Sequence, residues 1–391
     1  MKPSWIESTL GETCEIYQPK TITAKEMALS GNYPVFGANG VIGRHDKFNH
    51  EESQILVTCR GATCGTVNIS EPFSWITGNA MVVRPKTGEV EKAFLAYALR
   101  GSVDLGKAIT GAAQPQITRA NLSPLRFCYP DLAEQRRIVD LLSRAEGIVR
   151  MRRRAKTMAD AIIPAVFLDM FGDPLTNPKG LPVVALSEVA TIQGGLQVTR
   201  ARVNLPLERP YLRVANVYRA RLSLSEIKTI RLTDAEYQRT RLVLGDLLFV
   251  EGHGNPQEVG RVAIWDNSIE GCTHQNHLIR ARPDIASLLP IYACYLLNSA
   301  GGRQSLLRAG KTTSGLSTIS TQNVKEAEVL LAPMSEQQAF ARRVEAIDSI
   351  IKLQRDGMAK AEATFNALMA RAFSAESGCH RETTTEKIAV A

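Results

Sequence analysis

The chain has 391 residues, which at roughly 100–200 residues per domain leaves room for two or three domains. A hydrophobic fraction of 44% and a charged fraction of 22% exclude a disordered chain, a collagen-like fibre and a membrane channel. Lys and Arg outnumber Asp and Glu by 47 to 39, and the resulting charge of +8 is compatible with an anionic partner without naming one.

In chain order, the opening MKPSWIESTLGE lacks the apolar stretch of a secretory leader. No apolar run reaches the ~18 residues of a spanning helix, so a cytoplasmic protein without a membrane partner is expected. Residues 1–133 read as a first globular domain. It has short β-like runs at Gln54–Cys59, Thr66–Ile69 and Ala80–Arg84, and a helix near Glu91–Leu99. Residues 134–171 read as a first long helix, with Pro164 expected to kink it. The Gly- and Pro-rich stretch 172–182 reads as a linker. A second globular domain, 183–335, has runs at Tyr211–Val214, Leu247–Val250 and Leu278–Arg282 and a helix near Leu289–Asn298. A second long helix, 336–373, precedes a polar tail, 374–391, expected to be disordered.

The halves are copies of one plan. Residues 117–171 align without a gap on 319–373: Ile117 matches Ile319, Asn121 matches Asn323, Glu134-Gln135 matches Glu336-Gln337, and Phe171 matches Phe373. Looser correspondences pair Leu10 with Leu186, Tyr33 with Tyr211, Ile55 with Leu247 and Gly65 with Gly260. Both helices carry a heptad-like seam, through Val149 and Ile163 in the first and Ile351 and Phe365 in the second. Arg152, Lys156 and Gln354 interrupt it, and Ile138, Leu141 and Ile148 add a second apolar stripe expected to be buried. A helix of about 38 residues is roughly 57 Å long. The expected fold is mixed α/β (α+β): two globular domains separated by two long antiparallel coiled-coil helices, with a pseudo-twofold internal repeat.

Motifs of catalysis are scarce. The Walker and Rossmann glycine patterns are absent, and neither Asn177-Pro178 nor Asn255-Pro256 continues into the tetrapeptide of amino-methyltransferases. His274-Gln-Asn-His277 lacks the Glu and the helix of a metalloprotease, so polar contacts in a turn are the better reading. Cys14, Cys59, Cys64, Cys128, Cys272, Cys294 and Cys379 show no CxxC spacing, which argues against disulfides and a zinc site. No catalytic residue and no metal ligand is assigned.

Residues of the types that bond base edges and phosphates are spread through the presumptive loops. In the first half they are Arg44, His45, Arg60, Asn79, Gln114, Gln116 and Arg119. In the second they are Arg213, Asn216, Arg219, His253, Asn255, Arg261, His274, Gln275, Asn276 and Lys311. The basic run Arg150–Lys156 is either a solvated helix face or a source of phosphate attraction. Three readings remain: a DNA reader and scaffold, an enzyme hidden around His253, His274 and His277, or a coiled-coil interaction protein indifferent to DNA.

The arrangement resembles the specificity subunits of Type I restriction–modification enzymes. The resemblance is carried by Tyr33-Pro-Val-Phe-Gly-Ala-Asn-Gly, Cys59-Arg-Gly-Ala-Thr-Cys-Gly-Thr-Val, Trp75-Ile-Thr-Gly-Asn-Ala, Gln114-Pro-Gln-Ile-Thr and Pro130-Asp-Leu-Ala-Glu-Gln. Gly245-Asp-Leu-Leu-Phe, Gln275-Asn-His and Ala332-Pro-Met-Ser-Glu-Gln-Gln carry it in the second half. It implies two target-recognition domains, each reading half of a split sequence in double-stranded DNA, and long helices that dock methyltransferase subunits. A restriction subunit is a further partner of the family. S-adenosylmethionine, Mg and ATP are implied on the partner subunits, none on this chain. Glu134, Gln135, Glu336 and Gln337 are expected either to dock partner helices or to cap the helix starts.

Overall fold

The computed structural model describes residues 5–23, 27, 30–112, 114–308, 311–313 and 316–374; of residues 308, 311–313, 316 and 317 it describes the backbone alone. The tail expected to be disordered lies, beyond Ser374, outside the described residues. Two 40-residue helices, Leu132–Phe171 and Met334–Phe373, stand where the repeated heptads place them. The compact units cut across both helices. Unit 1 takes the chain up to Arg154 and from Asp356 on, and unit 2 takes Ala155–Arg355. Each unit therefore joins a globular domain to the start of one long helix and the end of the other.

Unit 1 contains β1 (Ile6–Thr9), β2 (Cys14–Tyr17), β3 (Tyr33–Phe36), β4 (Val41–His45), β5 (Ile55–Thr58), β6 (Val67–Ile69), β7 (Trp75–Ile76), β8 (Ala80–Pro85) and β9 (Arg126–Tyr129). They form sheets of order β2-β8-β5-β6, β4-β3-β7 and β1-β9. The continuous apolar runs of β5 and β8 are buried on both faces, which is why they were legible as strands. The helix Lys92–Gly101 buries Phe94 to Leu99 against them. The start of the first long helix joins that core through Ile138 and Leu142, and the end of the second through Met369 and Phe373. A Cβ on Gly101 would stand 2.6 Å from Met369, so the bare glycine lets this helix end approach. Phe373 packs on Phe94 and Trp5, with ring centroids 5.8 and 6.4 Å apart. Ile138 near the start of the first helix and Phe373 at the end of the second share this core, and Arg153 pairs with Glu362 at 2.8 Å, as expected of antiparallel helix segments.

Unit 2 contains β10 (Val183–Ala185), β11 (Ala190–Gly194), β12 (Leu207–Leu212), β13 (Val217–Tyr218), β14 (Arg221–Leu222), β15 (Lys228–Leu232), β16 (Leu247–Val250), β17 (Gly252–His253), β18 (Val262–Ile264), β19 (Thr273–His274), β20 (Leu278–Pro283), β21 (Lys311–Thr313), β22 (Leu316–Thr318) and β23 (Glu328–Leu330). Its sheets β11-β20-β16-β18, β15-β12-β19 and β10-β23 repeat the three orders of unit 1. The β13-β14 hairpin and the sheet β17-β22-β21 are added to that plan. Here Phe167 and Phe171, at the end of the first long helix, pack on Tyr292 and on Phe340 from the start of the second. The duplication is therefore structural, and the α+β class is as expected.

Three expectations are corrected. The first concerns register. Val35 and Phe36 pair in parallel with Trp75 and Ile76, whereas Tyr211 and Leu212 pair with Thr273 and His274. The residue equivalent to Tyr211 is thus Val35, two positions from Tyr33. The second concerns the extra stripe. Ile138 is buried, but Leu141 and Ile148 are 39% and 49% exposed. The third concerns the Glu-Gln pairs. Gln135 and Gln337 are fully buried and do not face outward. Gln135 Nε2 donates to the carbonyls of Glu89 and Pro130, and its Oε1 accepts from Glu91 N. Gln337 repeats this with Ser287, Ala332 and Leu289. Each glutamine clamps the turn before its domain's helix onto the long helix. At the first helix start the capping bond comes from Asp131, which accepts from Glu134 N at 2.9 Å. Glu134 itself is bridged to Arg137, and Glu336 to Lys179.

Of the seam positions, Val149, Ile163 and Ile351 are buried and Phe365 is half-buried. The interrupting Arg152 is exposed. The helix runs unbroken through Pro164.

Candidate nucleic-acid interface

In each unit the same backbone bonds gather loops at one edge of the four-stranded sheet. In unit 1, Ile117 N donates to Cys59 O, Cys59 N to Asn79 O, and Gly65 N to Thr58 O. In unit 2, Ile319 N donates to Glu251 O, Glu251 N to His277 O, and Gly260 N to Val250 O. Gly65 and Gly260 both have positive φ, at 89° and 71°, so a glycine makes the same turn in both copies. These bonds pair Asn79 with His277, Arg60 with Gly252 and Gln116 with Thr318.

The unit 1 edge assembles most of its expected residues. Arg60 bridges Gln116, and Gly61 N donates to Pro115 O, which ties the Arg60 loop to the Gln114–Arg119 segment. Asn39, at the tip of the β3–β4 hairpin, donates to Thr63 Oγ1 at 2.6 Å. Arg44, Arg60, Asn79, Gln114, Gln116 and Arg119 are exposed. His45 is half-buried, with its ring 5.0 Å from that of Trp75. Among the described residues none of Arg44, Arg60 and Arg119 has a carboxylate partner.

The unit 2 edge is more committed. Asn255 is exposed, and Arg213, Arg219, His253, Gln275 and Asn276 are half-buried. Arg213 pairs with Glu226 at 3.0 Å and Arg219 with Glu258 at 3.8 Å. The side chain of Lys311 lies outside the described ones. Three expected readers are structural instead. Asn216 is buried, accepts from Arg213 N and donates to the carbonyls of Ser223 and Glu226. Arg261 is 5% exposed, bonds Glu258 and Val214 O, and lies over the Tyr218 ring. Its hydrogen bond holds the Glu258 carboxyl below the usual carboxylate range.

His274 is fully buried. Burial, and then the charge of Arg280, push its imidazole down to about 4. The ring is therefore neutral and has one N–H to donate. Nδ1, 3.1 Å from Thr240 O, is the better placed donor; Nε2 is 3.4 Å from Gln193 O. Strand alternation explains the difference: His274 takes the inward position equivalent to Ile76, whereas His277 is exposed. His277 is bonded to Glu251 at 3.0 Å with its side chain 55% exposed. Its spacing from His274 was visible in sequence, but the direction of each side chain was not.

Among the described residues the thiols near these edges are not activated. Burial pushes the thiols of Cys59 and Cys64 up, and those of Cys272 and Cys294 to about 12, the opposite of what a reactive thiolate needs. Asp246 is engaged structurally, accepting from Arg282 and from Val243 N. Among the described residues no helix is long and apolar enough to cross a membrane.

Comparison with known proteins shows what this architecture is similar to. Residues 3–155 match the model of the Type I restriction modification DNA specificity domain. The EcoKI specificity subunit of Escherichia coli K12 is 31% identical over 176 residues. That alignment covers 43% of this chain and spans only 37% of the relative's length. The StySPI specificity subunit of Salmonella potsdam is 24% identical over 397 aligned positions, covering 92% of this chain and 78% of the relative. The Type I S subunit of M. genitalium shares the fold with a TM-score of 0.57 at 14% identity, over 95% of this chain and 96% of that one. A structure described as bearing on complex assembly and conformational transition of the type I R-M system gives 0.55 at 17% identity, over 95% and 98%. The duplicated domain-and-helix plan and these matches agree: residues 3–155 match the specificity-domain family, and the chain as a whole is similar in sequence and fold to Type I restriction–modification specificity subunits.

Proposed function

We propose that the chain is the DNA-reading subunit of a Type I restriction–modification complex, with each unit reading one half of a bipartite target. One observation carries this reading. The same lattice of backbone bonds presents two different sets of base-edge and phosphate-capable side chains, Asn79, Arg60 and Gln116 in one copy and His277 and Thr318 in the other, where Gly252 stands at the position of Arg60. Shared backbone with divergent tips suits a reader of two unlike half-sites, because phosphate contacts position and base-edge contacts specify.

The long helices supply docking surface for methyltransferase subunits. Leu141, Ile148 and Met151 of unit 1 are 39%, 49% and 64% exposed, and Met158, Ile162, Ile350 and Leu353 of unit 2 are also exposed. Helix faces this apolar favour burial by partner helices. The chemistry belongs to those partners: S-adenosylmethionine on the methyltransferase, and Mg and ATP on a restriction subunit where one joins. The complex works in the cytoplasm, where its DNA is.

The test is selection of binding sites from randomised duplex DNA by the chain with its methyltransferase subunit, across a range of salt. A bipartite consensus with a steep salt slope is expected. A complex without sequence preference would overturn the reading. The chain alone, given DNA, Mg²⁺ and S-adenosylmethionine, should neither cut nor methylate; either activity would restore the enzyme alternative.

A further inference from the structure

The β3–β4 hairpin of unit 1 carries a feature that its counterpart in unit 2 lacks. Its tip is tied down by side chains: Thr58 Oγ1 and Asn68 Nδ2 both donate to Ala38 O, at 2.7 and 3.0 Å, and Asn39 Nδ2 donates to Thr63 Oγ1. Just past this rigid tip, Val41 and Ile42 are 51% and 53% exposed. Ile42 lies over Gly37, where a Cβ would come within 2.7 Å of its Cγ2, so the bare glycine seats the side chain. Ile42 is the residue inserted by the bulge opposite Val35 and Phe36, so it and Val41 do not alternate as ordinary strand residues do, and both stand exposed on the outer strand β4. In unit 2, β12 reaches β15 only through residues 213–227, without a tight turn.

The surroundings select the occupant. Arg44 on β4, and Arg60 and Arg119 on the bonded loops, are exposed cations without a carboxylate partner among the described residues. Such an edge repels a basic protein and attracts a polyanion. Duplex DNA is a polyanion that also displays apolar groups. Its major groove admits a two-stranded ribbon, and the thymine 5-methyl is the apolar group read there. We propose that the β3–β4 ribbon enters the major groove of the half-site read by unit 1, and that Val41 and Ile42 recognise thymine there by its 5-methyl group. This rests on the DNA-reading function proposed above.

The experiment uses the full chain with its methyltransferase subunit and the duplex it selects. Each thymine is replaced singly by deoxyuridine, which removes the methyl and keeps every hydrogen-bonding group. Binding should weaken about fourfold per methyl, at one or two positions confined to one half-site. Val41→Ala or Ile42→Ala should weaken the thymine duplex to a similar degree and bind the uracil duplex as the wild type does. That last equality also shows that the variants are folded. Tolerance of deoxyuridine at every position, a thymine preference surviving in both variants, or variants weak on the uracil duplex would each overturn the proposal. Failure to select any sequence would remove the DNA-reading function itself, and this contact with it.

Discussion

The two units share a scaffold and differ in how their cations are committed. Arg44, Arg60 and Arg119 of unit 1 have no carboxylate partner among the described residues, whereas Arg213, Arg219 and Arg261 of unit 2 all pair with Glu226 or Glu258. Duplication conserved what holds the loops, namely the backbone bonds, the positive-φ glycines and the buried glutamine clamps. It left the tips free to diverge. Equivalent backbone therefore does not imply equivalent surface chemistry, and the proposed function needs that separation between a fixed frame and variable readers.

The largest effects should fall on the frame and be equal in the two units. Phe171 is 2% exposed among Phe167, Tyr292 and Phe340; Phe373 is 5% exposed against Trp5 and Phe94. Truncating either to alanine should cost about 4 kcal/mol. Urea unfolding followed by tryptophan fluorescence separates them, because Trp265 lies in unit 2 and Trp5 and Trp75 in unit 1. Each substitution should lower the midpoint of its own unit. If Phe373→Ala shifts only the Trp265 signal, the assignment of helix ends to units is wrong.

Next come the clamps. Gln135→Leu strands Glu91 N and two carbonyls, and Gln337→Leu does the same around Leu289. Stranded buried groups of this kind cost about 3 kcal/mol together. Equal losses in the two units support one duplicated device, and a loss in one alone would break the symmetry.

The apolar part of the frame was the most legible in sequence. The gap-free match of 117–171 with 319–373 exposed the duplication, because packing constrains apolar spacing. Strands buried on both faces, such as Leu247–Val250, were found because their apolar runs are continuous. The readers were harder. Asn216, Arg261 and His274 have the right chemistry but are turned inward, and a polar residue's direction depends on the register of its strand. The two-residue register error at Tyr33 had the same source: a four-residue strand with a bulge between Val35 and Phe36 gives little periodicity to follow. The role of Gln135 was invisible because its partners, Glu89 and Glu91, lie more than forty residues away.

A smaller effect separates the units in acid. Hydrogen bonds from Arg202 hold the Glu236 carboxyl down to about 2, against an ordinary value of 4.5. A depressed folded-state value contributes stability that is complete above pH 4.5 and is lost as pH falls towards 2. In a Trp5→Phe, Trp75→Phe background, Trp265 should report unit 2 weakening across that window. Glu236→Gln should flatten the profile, and an unchanged profile would mean the pair does not stabilise unit 2.

The smallest effect bears most directly on the contrast between the edges. If Arg60 and Arg119 meet phosphates, replacing either by alanine should reduce the slope of log affinity against log salt by about 1. Arg213 is already neutralised by Glu226 at 3.0 Å, so Arg213→Ala should change the slope less. Glu226→Gln offers the sharper comparison. It removes the carboxylate, returns Arg213 to the uncommitted state seen in unit 1, and should steepen the slope while leaving the preferred sequence unchanged, since phosphate attraction carries no base information. Equal slopes for Arg60→Ala and Arg213→Ala, with no response to Glu226→Gln, would show that ion pairing within unit 2 does not compete with DNA, and the two edges would then be electrostatically alike despite their different partners.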